Sequence, residues 1–119
     1  MSDFLMLFRG GDGRMAEMSP EQTQAHMQKW GQWMGGLQEQ GKMLGAEPLA
    51  KGGATVSGTK MVVTDGPYLE GKEMVGGYLM CKAESIEEAI EISKGCPILE
   101  FEDGNVEVRE ITPMNMEEK

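Results

Sequence analysis

Apolar and polar positions fall into short blocks along the 119-residue chain, and each block has its own period. Phe4-Leu5-Met6-Leu7-Phe8 is a continuous apolar run, too short for a helix, with glycines following at 10, 11 and 13. It reads as a central strand buried on both faces or as a short edge-to-core strand. Ser19-Pro20-Glu21-Gln22 then opens a helix: Ser19 as cap, proline at the first helical position, an acid at the positive end, and Gln22 at capping-box spacing. Thr23, Met27, Trp30, Met34 and Leu37 follow at steps of four and three, the apolar stripe of an amphipathic helix that Gly41 stops. Gly31, Gly35 and Gly36 lie inside it. Each costs roughly 0.5–1 kcal/mol against alanine, so they imply close approach to a sheet or second helix, or room for a ligand.

The second half is strand-rich. Lys42 to Ala50 reads as a short strand with Pro48 at an edge or bend. Residues 54–64 read as one strand with a break or two short strands, closed by the turn Asp65-Gly66-Pro67. Tyr78 to Ala83 is a further strand. Ser85-Ile86-Glu87-Glu88 is a second capping box, and Ile86, Ala89, Ile90 and Ser93 form its apolar stripe before Gly95 and Pro97 end the helix. Val106 to Ile111 alternates strictly, the mark of a half-exposed strand. The order strand, helix, strand, strand, helix, strand predicts an α+β fold, ferredoxin-like βαββαβ, with an antiparallel sheet and two helices on one face. Nothing divides residues 1–119 into more than one domain, and about 114–119 reads as a flexible tail.

Charge and composition narrow the function. Residues 1–59 carry six acids and five bases, residues 60–119 fourteen acids and six bases, so nearly all of the net −9 lies in the second half. An acidic chain lacks the basic face that direct nucleic-acid binding needs. No run approaches the roughly 20 apolar residues of a membrane helix, and Phe4–Phe8 is shorter than a signal-peptide core; a cytoplasmic protein without membrane contact is expected. His26, Cys81 and Cys96 do not make a metal site, and no cofactor is expected. Cys81 and Cys96 read as reduced, buried thiols with no neighbouring base, and His26, beside the apolar stripe, as a helix-surface residue. Gly10-Gly11-Asp12-Gly13 lacks the pattern of a phosphate loop.

The stretch Val63-Thr64-Asp65-Gly66-Pro67-Tyr68-Leu69-Glu70-Gly71-Lys72-Glu73-Met74-Val75-Gly76-Gly77-Tyr78 resembles the signature of the DGPF, or YCII-related, family: an Asp-Gly-Pro-aromatic turn, an acid, Lys-Glu, then Gly-Gly-aromatic. Tyr68 stands where phenylalanine is usual. Residues 30–45, 85–97 and 106–109 match the family's first helix, second helix and last strand, so the resemblance covers nearly the whole chain. It implies a ferredoxin-like fold that pairs into a homodimer in the style of the dimeric α+β barrels. It implies little about chemistry. Related YCII proteins are proposed enzymes in which a His and an Asp face a cleft, and some DGPF relatives carry transcription-related labels. Counting back from Gly41, the helix position of that His is Trp30 here, and His26 lies one turn earlier.

Asp65 is the sharpest candidate. It caps the turn through backbone N–H groups, or serves as a general base or polar anchor at a cleft. Gly66 and Pro67 supply turn geometry, and Gly76-Gly77 allows tight strand pairing or close approach of a ligand. Trp33 and Tyr78 are further candidates for an apolar pocket wall. The leading expectation is a small-ligand-binding homodimer with Asp65, Tyr68, Lys72, Trp30 and Met34 lining a pocket between sheet and helix. The alternatives are an isomerase- or lyase-like enzyme with Asp65 as base and Lys72 as electrostatic partner, and a transcription-associated regulatory partner.

Overall fold

The computed structural model describes residues 1–11, 17–50, 52–66 and 74–114. Its elements are β1 (Ser2–Arg9), α1 (Pro20–Glu39), β2 (Met43–Pro48), β3 (Ala54–Ser57), β4 (Val62–Asp65), β5 (Val75–Ala83), α2 (Ile86–Ser93), a 3-10 helix (Pro97–Glu100) and β6 (Asn105–Glu110). The main sheet runs β2-β5-β1-β6, every neighbouring pair antiparallel, while β3 and β4 pair with each other as a separate two-stranded sheet. Both β-α-β crossovers span one intervening strand. That is the ferredoxin-like α+β topology, with the β3–β4 hairpin inserted between its second and third sheet strands.

Period two sorts the sheet into two faces. Phe4, Met6 and Phe8 of β1 and Gly77, Leu79, Cys81 and Ala83 of β5 are buried, and the apolar ones among them form one cluster with Leu37 of α1, Ala89 of α2, and Cys96 and Ile98 beyond it. Leu5, Leu7, Tyr78 and Met80 sit on the opposite face, half-buried, with no layer over them among the described residues. The apolar run of β1 is therefore central but buried on one face only.

Both helices start at the predicted caps, but only the first closes the full capping box; the second keeps the Ser85 half alone. Ser19 Oγ accepts from the Gln22 N–H at 3.1 Å and Gln22 Oε1 accepts from the Ser19 N–H at 2.9 Å. Ser85 Oγ accepts from the Glu88 N–H, but the Glu88 carboxylate reaches back to the Glu84 N–H and lies 3.5 Å from Lys42 Nζ. Gly41 ends α1 at φ +70°, a conformation that favours glycine.

The helix faces differ from the expected stripes by about one residue. On α1 the buried positions are His26 and Leu37, with Trp30, Trp33 and Met34 packed beside the core, whereas Met27 is 53 % exposed. His26 is thus not a surface residue: it is 3 % exposed. Polar pairing explains the rotation. Inward, His26 and Trp33 both find partners, and a buried polar atom is costly only without one. On α2, Ala89 and Ser93 face inward with Ile92, while Ile86 and Ile90 face solvent. Gly31, Gly35 and Gly36 would meet nothing within 4 Å if given a Cβ, so they mark no close approach. Gly77 does: its Cβ would lie 3.1 Å from the Glu47 carbonyl oxygen.

Among the described residues, no helix is long and apolar enough to cross a membrane.

Candidate functional site

A cavity of about 370 Å³ opens between α1 and the end of the sheet where β2 and β5 meet. Met27, Trp30 and Met34 form its helical wall, Phe8 and Ile98 its inner end, and Ala46, Pro48, Leu49, Gly76 and Gly77 its strand side. Glu47 and Tyr78 also border it. They are cross-strand partners, one register step from the helix-facing pair Ala46 and Leu79, so they contribute backbone while their side chains belong to the open face. Among the described residues the lining is then almost wholly apolar. Gly77 is part of why the space exists, because any side chain there would project against the Glu47 carbonyl and the Phe8 ring.

Aromatic packing fixes the helical wall. The Trp30 and Phe8 rings meet edge to face at 5.1 Å, and Trp33 closes the group at 6.1 Å from Phe8 and 5.9 Å from Trp30. Trp33 donates its indole N–H to the Ile92 carbonyl at 3.1 Å. Trp30 donates its own to His26 Nε2 at 2.9 Å. The other imidazole nitrogen, Nδ1, lies 3.5 Å from Glu100 Oε1, and Lys29 Nζ holds Glu100 Oε2 at 2.9 Å. The Lys29 ammonium, through its hydrogen bond and its charge, holds the Glu100 carboxyl below the usual carboxylate range, with His26 adding to the effect.

A second cleft, about 600 Å³, is lined by Lys29, Gln32, Trp33, Lys94, Cys96 and Glu100 among others. Its lysines are already engaged, Lys29 with Glu100 and Lys94 with Glu91 at 2.9 Å. Burial pushes the Cys96 thiol up to about 12 and also raises Cys81, so neither is a ready nucleophile. Both cysteines are buried and free, as expected. No group of three or more His, Cys, Asp or Glu side chains suited to a metal ion occurs among the described residues.

Of the residues expected to form the site, the fold brings together Trp30, Met34, Gly76 and Gly77. Asp65 is not with them. It is exposed at the end of β4, paired across the hairpin with Ala54, and Gly66 beyond it takes φ +75°, the positive φ the turn was expected to require. Pro67, Tyr68 and Lys72 lie outside the described residues, as do Asp12, Gly13 and the tail Asn115 to Lys119. His26 and Glu100 were missed as site neighbours. One signal was present: His26 and Trp30 are four apart, the spacing that stacks side chains on one helix face.

An antiparallel βαββαβ sheet with a helix-lined apolar cavity defines a ferredoxin-like small-domain class. Within that class the chain belongs to the YCII-related domain family, whose model matches residues 4–115. The comparison with curated proteins found no match. Among solved structures, one that is similar is 5-chloro-2-hydroxyhydroquinone dehydrochlorinase from Burkholderia phenoliruptrix AC1100, in complex with 2,5-dihydroxybenzoquinone. It is 19 % identical with a TM-score of 0.45, and the match covers 88 % of this chain and 90 % of that one.

Proposed function

We propose that the protein is a cytoplasmic homodimer that binds a small, largely apolar molecule in the cavity between α1 and the sheet. The cavity itself carries the reading: about 370 Å³, within the ordinary range of small-molecule sites, and walled by Trp30, Met27, Met34 and Phe8. Methionine side chains adapt to the shape of what they contact, and the edge-to-face tryptophan supplies a rigid wall. The homodimer reading rests on the open sheet face. Leu5, Leu7, Tyr78 and Met80 form an apolar strip flanked by Arg9, Glu107 and Arg109, and a self-complementary patch of this kind suits a two-fold interface.

Thermal denaturation across a library of uncharged small molecules tests the site. A binding compound raises Tm of the wild type, whereas Trp30→Ala removes most of that rise. No rise for any compound, or an equal rise in Trp30→Ala, refutes it. Light scattering tests the assembly: the wild type runs at twice 13.1 kDa, and Leu7→Lys runs as a folded monomer. A monomeric wild type refutes the dimer.

A further inference from the structure

Trp30 forms a wall of the cavity, yet its only polar atom points away, to a histidine that is 3 % exposed. That geometry restricts the imidazole. Nε2 accepts the indole N–H at 2.9 Å, so it carries no proton; the proton of a neutral ring is then on Nδ1, on the side of Glu100 Oε1 at 3.5 Å. Among the described residues, the charged groups facing His26 are Glu100, from the 3-10 helix, and Lys29, which reaches it only through Glu100. The imidazole also meets the rings of Trp30 and Phe101, the latter at 4.9 Å.

We propose that His26 is a positioning residue for the cavity and an acid-sensitive one: neutral, it holds the Trp30 indole in the wall, and protonated at Nε2 it releases it. An imidazolium has two N–H donors and no acceptor. Its Nδ1–H keeps Glu100 as a charge-assisted partner, while its Nε2–H faces the Trp30 N–H donor to donor. The uncharged contact is the weaker, so Trp30 gives way. The indole then loses its anchor and the wall its fixed edge against Phe8. By linkage, a molecule that needs this wall binds the neutral-His26 form better, and its binding opposes protonation of His26 to the same degree.

The binding half of this inference rests on the cavity being a ligand site; the His26–Trp30 half does not, and one experiment separates them. Nitrogen-15 NMR follows the Trp30 indole resonance, assigned with Trp30→Phe, from about pH 8 to about pH 5, beside the His26 ring signals. In parallel, affinity is measured for the uncharged fluorescent probe N-phenyl-1-naphthylamine. The expected result is one shared midpoint for the indole and imidazole resonances, and a probe affinity about three- to tenfold lower in acid. His26→Gln retains a side-chain acceptor but not the titration, so its probe affinity stays flat with pH. An indole resonance indifferent to His26 ionisation overturns the inference, as does an equal acid loss of affinity in His26→Gln. If the probe binds at no pH while the resonances move together, the ligand reading fails and the His26–Trp30 switch stands.

Discussion

The helix-covered side of the main sheet and the β3–β4 hairpin contain the same kinds of residue in opposite circumstances. On the sheet, Phe4, Met6, Leu79 and Cys81 are at most 1 % exposed. On the hairpin, Val56, Val62 and Val63 are 55–65 % exposed, although Val56 and Val63 face each other across the strands as a β-branched pair should. Alternation places side chains on a face, but only a second layer takes that face out of water. The sheet has α1 and α2 as that layer; the hairpin has none among the described residues, and an isolated two-stranded hairpin is marginal in water. Stability should therefore reside in the first region.

The largest effect follows directly. Leu79→Ala empties a fully enclosed position and should cost about 2–5 kcal/mol in urea denaturation, whereas Val63→Ala should stay within about 0.5 kcal/mol. A Val63→Ala loss that grows on dilution would instead place the hairpin in an interface between two copies.

The smaller effect uses the cysteines. Cys96 ionises only at about 12 against an ordinary thiol value of 9.0, because burial disfavours the thiolate; a backbone hydrogen bond at Ile98 offsets this in part. The unfolded chain gives up that proton first, so the contribution is whole below about 9 and is lost as pH rises toward 12. The stability gap between wild type and Cys96→Ala should narrow across that window. At neutral pH, Ellman's reagent should label neither Cys81 nor Cys96 until unfolding, while Val63→Cys reacts at once. Prompt labelling of the wild type would mean the core opens locally.

These contrasts also mark how much was legible in the sequence. Ser19-Pro20 with Gln22, Ser85 as a cap, Gly41 as a helix stop and a last strand from Val106 are local signals, decided within a few residues, and each appears in the fold, although that strand ends at Glu110 rather than Ile111 and its burial does not alternate. The orientation of α1 is not local. Met27 and His26 are both compatible with the stripe, and the choice depends on Glu100 and Phe101, more than seventy residues away. The cavity was half legible for the same reason. Trp30 and Met34 lie on the helix face, but Gly77 matters only once β5 is registered against β2 so that its missing side chain faces α1. Asp65 drew notice as a motif residue, while its place on an exposed hairpin depends on β3 and β4 pairing apart from the main sheet.

The smallest effect lies at the boundary between the two kinds of region, at Glu100. This carboxylate is 45 % exposed, and Lys29, its closest partner, is 56 % exposed. Its ionised form is favoured first by the Lys29 hydrogen bond and then by charge, with burial opposing. A carboxyl lowered on folding contributes stability above its unfolded value and loses it as pH falls through the folded one, so the contribution fades in acid. Water screens so exposed a pair, and Lys29→Met should cost less than about 1 kcal/mol, with most of that gone in about 1 M salt. A salt-resistant loss would mean that Lys29 acts through Glu100 on the enclosed His26. The same substitution would then move the Trp30 indole resonance, linking an exposed ion pair to the wall of the cavity through two hydrogen-bonding side chains.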